Sequence, residues 1–127
     1  MRVIATKTAP AAIGPYSQAV QASGFIFLSG QIPIDPGTGQ MIQGDIAAQT
    51  ERVLDNLGAI LTASGCTFAH VVKTTIYLAD MNDYQSVNEI YAKRFPQNAP
   101  ARSAVQAAAL PRGARVEIDC IARLKNA

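Results

Sequence analysis

The chain has 127 residues, 49% of them hydrophobic and 16% charged, with a net charge of +2. That length and balance predict one domain spanning residues 1–127 with a sizeable core, and exclude a disordered or fibrous chain. The 11 Lys and Arg residues are scattered, which argues against nucleic acid as a partner, and one histidine with two cysteines is too few to build a zinc site. Cys66 and Cys120 each read as a buried free thiol. No run approaches the roughly 20 apolar residues of a membrane span. Residues 1–14 lack the apolar core of a signal peptide, so a soluble cytoplasmic protein is expected.

In chain order, residues 3–5 read as a short edge strand and 8–15 as a loop rich in Pro and Gly. Residues 16–22 alternate, Ser23-Gly24 makes a two-residue break, and 25–29 follows with strand formers, which together predict a β-hairpin. Gly30 interrupts the second strand, where an isolated glycine marks a bulge or a close backbone approach. Residues 35–39 form a turn. Residues 45–64 are the clearest helix, with Asp45 as its cap and Ile46, Val53, Leu57, Ile60 and Leu61 on one face; Gln49, Glu51, Arg52 and Asn56 lie mostly elsewhere.

Residues 71–78 predict the next strand, with Val72, Thr74, Ile76 and Leu78 on one face and Val71, Lys73, Thr75 and Tyr77 on the other. Asn82 or Asp83 caps a second helix that runs to about Phe95, where Pro96 stops it. A strand carrying Arg102 comes next, then a turn at 110–114. In the last strand, residues 115–124, Val116, Ile118, Cys120, Ala122 and Leu124 oppose Arg115, Glu117, Asp119, Ile121 and Arg123. Strands, helix, strand, helix, strands is an α+β order of about six strands and two helices. Two helices cover one face of such a sheet. The other face carries aliphatic and aromatic residues, so an oligomer is expected.

Four features could carry chemistry: Arg102, Glu117, Tyr16 and the Ser29-Gly30-Gln31 turn. Pro100 sends the chain into the Arg102 strand extended, and Arg102 shares a face with Ala104, Gln106 and Ala108, small neighbours that leave room beside the guanidinium. Such an arginine suits a planar carboxylate. Glu117, expected on a strand next to that of Arg102, could act as a general base. Each has a simpler reading as well: an ion-paired Arg102, a Glu117 bonded to Arg115 or Arg123, a half-buried Tyr16, and a plain strand end at Ser29-Gly30. His70 reads as structural or exposed.

Four segments decide between these readings: Ala9-Pro10-Ala11-Ala12-Ile13-Gly14-Pro15-Tyr16-Ser17-Gln18, Leu28-Ser29-Gly30-Gln31-Ile32-Pro33, Val72-Lys73-Thr74-Thr75 and Pro100-Ala101-Arg102-Ser103. With Glu117-Ile118 they closely resemble, nearly end to end, the reactive intermediate deaminase (RidA) family, also called the YjgF-type or endoribonuclease L-PSP family. The resemblance implies a chorismate-mutase-like α+β fold and a homotrimer with a central barrel, its clefts between subunits. It implies hydrolysis of 2-imino acids, such as 2-iminopropanoate and 2-iminobutanoate, to 2-keto acids and ammonia, with no metal or organic cofactor. These imines arise from enamines released by pyridoxal-phosphate-dependent dehydratases, a functional link without a stable complex.

By the same resemblance, Arg102 holds the carboxylate and Glu117 positions the attacking water. Backbone groups at Gly30 and Ala104 line the imine end beside Ser29, and Tyr16 and Asn88 line the cleft. Many members carry a cysteine two residues after the arginine; Ala104 stands there, so no thiol acts at that position. The competing readings are a non-catalytic 2-keto-acid sensor built on Arg102, an endoribonuclease, and a chaperone. The scattered basic residues and the single histidine argue against the endoribonuclease.

Overall fold

Residues 1–124 are described in the structure, a computed structural model. Its main elements are β1 (Arg2–Ile4), β2 (Ala19–Ala22), β3 (Phe25–Gln31), α1 (Ile46–Ala63), β4 (Val71–Leu78), α2 (Tyr84–Ala92), β5 (Ala101–Gln106) and β6 (Val116–Arg123). The strands form one six-stranded sheet in the order β1-β2-β3-β6-β4-β5. Every neighbouring pair is antiparallel except β4 and β5, which run parallel, so the sheet is mixed and the α+β expectation holds.

Local chemistry accounts for most of these elements. Ser23 and Gly24 both take positive φ, 51° and 79°, the twist a two-residue hairpin between β2 and β3 requires. The Asp45 carboxylate accepts from the Ala48 N–H at 2.9 Å and caps α1. Val53, Leu54, Leu57, Ile60 and Leu61 of α1 are buried against Val116, Ile118, Cys120 and Ala122 of β6, with Ile26 and Leu28 of β3 alongside. Burying each large aliphatic side chain contributes about 1.5–3 kcal/mol.

Among the described residues no helix covers the opposite face of the sheet. Val3, Val20, Phe27 and Ile121 stand in register across β1, β2, β3 and β6 as an apolar row. Val3, Phe27 and, from β5, Val105 stay exposed in the protomer.

Several local expectations need correcting. β2 begins at Ala19, not at Tyr16, because the chain through Ser17 and Gln18 is spent on loop hydrogen bonds. The β4 register shifts between Val71 and Lys73, so Val71 joins the buried face and Val72 is exposed. Gln49 and Asn56 of α1 are buried rather than outward. Asn56 Nδ2 donates to the carbonyls of Ile32 and Ile34 at 3.3 and 3.0 Å, and Gln49 Oε1 accepts from the Arg115 N–H at 3.1 Å. Asp80 caps a 3-10 turn at Met81–Asp83, whereas the Asp83 carboxylate leaves α2 uncapped and pairs with Arg115 at 3.0 Å. α2 ends at Ala92, three residues before Phe95. The last strand, expected over residues 115–124, runs from Val116 to Arg123.

Candidate functional site

Arg102 stands opposite Thr74 in the parallel β4–β5 register, and Thr74 is buried beneath α2. Its guanidinium therefore lies on the helix-covered face. There α2 presents Tyr84, Asn88 and Tyr91, spaced four and three residues apart and so on one side of the helix. Arg102 Nη1 donates to Asn88 Oδ1 at 2.7 Å, and Nη2 donates to the Tyr84 hydroxyl at 2.6 Å. The guanidinium carbon sits 4.9 Å from the Tyr91 ring centre. The Tyr91 hydroxyl is in turn hydrogen-bonded to Thr74 Oγ1 at 2.7 Å.

Among the described residues no carboxylate pairs with Arg102. The ion-paired reading is thereby replaced by a cation held through neutral groups alone. Beside it is a hollow of about 370 Å³ lined by Asn88, Tyr91, Phe95, Ala99 and Pro100. Ala104 follows on the same face, packed against the core.

Glu117 belongs to a second cleft. Leu28 pairs with Cys120 but Gln31 with Ile118, so Ser29-Gly30 forms the expected bulge in β3. The bulge brings Gly30 against Glu117: a Cβ at Gly30 would land on the Glu117 carboxylate. Ser29 Oγ donates to the Ser17 carbonyl at 2.5 Å and its N–H to the Gln18 carbonyl at 2.9 Å, so its hydroxyl is committed to the loop. Tyr16, Ser29, Gly30, Ile32, Pro111 and Glu117 line a cleft of about 410 Å³. The loop carrying Tyr16 is fixed by buried Gln18, whose Nε2 donates to the carbonyls of Thr6 and Pro10 and whose Oε1 accepts from the Thr6 N–H. Tyr16 itself is exposed, with its hydroxyl accepting from the Ile13 N–H at 3.4 Å.

Burial raises the Glu117 pKa from its ordinary value, and the charge of Asp119, two residues along the same face, raises it further. The carboxylate is therefore protonated at a higher pH than a free glutamate; its burial opposes folding fully above the raised value, and that opposition fades as pH falls through it and is gone below the free-glutamate value. Asp119→Asn is expected to move the Glu117 titration to lower pH. Carboxyl carbon chemical shifts followed against pH would read it; an unmoved midpoint would remove Asp119 from the explanation.

The two clefts are on opposite sides of one sheet. Glu117 pairs with Tyr77 and Arg102 with Thr74, and these two β4 residues point to opposite faces. β4 also separates the strands, so the expectation that Arg102 and Glu117 lie on adjacent strands is overturned. The chain brings Tyr16, Ser29, Gly30 and Glu117 together, and separately Asn88, Arg102 and Ala104.

The family profile described as Endoribonuclease L-PSP matches residues 6–124. The chain belongs to this family. It is 57% identical over 121 residues to the mouse 2-iminobutanoate/2-iminopropanoate deaminase, covering 95% of this chain and 90% of the mouse protein. To the human protein of the same name it is 54% identical, over 95% of this chain and 88% of the human one. The crystal structure of RidA from Psychrobacter sp. PAMC 21119 superposes with a TM-score of 0.93 at 41% identity, over 98% of this chain and 100% of that one.

Within this L-PSP family member, the other reactive side chains stay local. His70 Nδ1 accepts from the Thr67 N–H at 2.9 Å and closes a one-turn cap. Burial pushes the Cys120 thiol up to about 12 and raises Cys66 too, so neither is a ready nucleophile. No group of three or more potential metal ligands occurs, and no helix is long and apolar enough to cross a membrane, among the described residues. Sequence reasoning missed Tyr84 and Gln18. Tyr84 falls at the start of the predicted second helix, and only its spacing from Asn88 hints that both face Arg102. Gln18 reads as one polar position in an alternating strand.

Proposed function

We propose that this protein hydrolyses 2-imino acids, such as 2-iminopropanoate and 2-iminobutanoate, to the 2-keto acid and ammonia. The observation that carries the reading is Arg102: a guanidinium fixed by Asn88, Tyr84 and Tyr91 but matched by no carboxylate of the described chain. A compact carboxylate supplies the missing charge. The names borne by the mouse and human relatives point to the same substrate class.

In this reading Arg102 takes the substrate carboxylate as a two-point pair. Glu117 holds a water, accepts one of its protons, and directs its oxygen at the imine carbon. The carbinolamine that forms then expels ammonia, its nitrogen having gained the protons, and leaves the keto group. The imine is electrophilic already, so orientation of water and substrate is the main requirement. Tyr16 and the backbone at Gly30 and Ala104 enclose the reacting end. Because Arg102 and Glu117 occupy opposite faces, one substrate meets both only if a second copy brings its Glu117 cleft to the Arg102 hollow. A homotrimer closed over the apolar row Val3, Val20, Phe27 and Ile121 supplies that arrangement and covers the open face. The substrate comes, in a cytoplasmic setting, from enamines released by pyridoxal-phosphate-dependent dehydratases.

The test is a coupled assay in which a threonine dehydratase generates the imine and semicarbazide traps what survives. Catalytic loss of trappable imine on adding the protein supports the proposal. Binding of 2-ketobutyrate with no turnover would replace it with the sensor reading.

A further inference from the structure

Tyr84 opens α2 one turn before Asn88, and its hydroxyl receives a hydrogen from Arg102 Nη2 at 2.6 Å. The ring needs no hydroxyl to pack against the core, where it is only partly buried. A phenol here therefore serves the arginine. Each terminal guanidinium nitrogen carries two hydrogens, and Tyr84 and Asn88 take one from each, leaving the other free. The Tyr91 face below, itself anchored through Thr74, fixes the tilt. Two acceptors and one ring face determine the position of a planar cation completely. Both acceptors are neutral, so they orient the charge without cancelling it; a carboxylate at either place would do both.

We propose that Tyr84 is a positioning residue for Arg102, its hydroxyl holding the guanidinium in the plane from which the remaining hydrogens meet a substrate carboxylate. The proposal rests on the reading of Arg102 as the carboxylate ligand. A side chain with many rotatable bonds loses that freedom when it binds a ligand, and Tyr84 imposes the loss beforehand. The carboxylate does not change during hydrolysis, so its anchorage is felt equally in the ground and transition states. Loss of the hydroxyl thus raises KM and spares kcat. A tenfold effect is expected, the size of one charge-assisted hydrogen bond.

Tyr84→Phe keeps the ring and removes only the hydroxyl. Three quantities decide the matter: kcat and KM for the dehydratase-generated imine, the Kd of 2-ketobutyrate by calorimetry, and the melting temperature. The expected result is a Kd and a KM each about tenfold higher, kcat within about twofold of wild type, and an unchanged melting temperature. A fall in kcat with KM unchanged would overturn the positioning role, as would a variant indistinguishable from wild type. If wild type neither binds 2-ketobutyrate nor consumes the imine, the reading of Arg102 fails first; if wild type does both and Tyr84→Phe matches it, only the role of Tyr84 falls.

Discussion

Replacing Arg102 with alanine is expected to abolish turnover and 2-ketobutyrate binding together. The substrate is small, and its carboxylate is its one permanent charge. Among the described residues no other cation lines the hollow that Arg102 shares with Asn88, Tyr91, Phe95, Ala99 and Pro100. Truncating one partner of a desolvated charged pair costs about 2–5 kcal/mol, which corresponds to a loss from about thirtyfold to several thousandfold in kcat/KM. The fold should survive, because the groups left behind are neutral and lie next to an open hollow. Arg102→Lys should recover little, since an ammonium cannot serve Asn88, Tyr84 and a carboxylate in one plane. Kinetics in the dehydratase-coupled assay read the result, and a kcat/KM for Arg102→Ala within threefold of wild type would refute the assignment.

Gly30→Ala is the second large effect, and it acts through shape alone. Gly30 does not hold a positive φ, so its backbone accepts alanine. The obstacle is the new methyl group, which falls on the Glu117 carboxylate and close to its Cγ. The end of a glutamate side chain moves more easily than a sheet, so the carboxylate yields and the fold stays. Displacing a catalytic group by about 1 Å costs on the order of a hundredfold in rate. The expected outcome is a hundredfold drop in kcat/KM with 2-ketobutyrate binding and denaturant midpoint nearly unchanged. Full activity would show that the cleft at Gly30 and Glu117 is not where water attacks.

The sequence made the regular parts legible because single-chain periodicity governs them. Val116, Ile118, Cys120 and Ala122 alternate inward along β6, and Asp45 caps α1 as its side chain dictates. The same holds for the bulge at Gly30, where the glycine is the signal. What stayed hidden depended on partners distant in sequence. Chain order suggested that the Arg102 and Glu117 strands pair, but β4 inserts between them through a parallel pairing that no turn residue encodes. Asn56 looked like a solvent-facing amide, and only the carbonyls of Ile32 and Ile34 explain its burial. Val72 changed face because of a bulge with no glycine to announce it. At the site, Arg102 and Glu117 were recognisable as residues through a family resemblance. Their placement on two faces, and the hydroxyl of Tyr84 between helix and sheet, follow from strand pairing and helix packing between segments distant in the chain.

The division of Arg102 and Glu117 between two faces of one sheet has a consequence for inheritance. When a site is shared between neighbouring copies, a chain lacking Arg102 still lends a sound Glu117, and a chain lacking Glu117 still lends a sound Arg102. Two alleles that are each dead alone then complement one another. Co-expressed in equal amounts, Arg102→Ala and Glu117→Gln chains should restore about a quarter of wild-type activity, because about one junction in four joins the two intact halves. Purified mixed assemblies assayed beside each parent alone would show it, and mixtures as inactive as their parents would mean that each chain completes its own site.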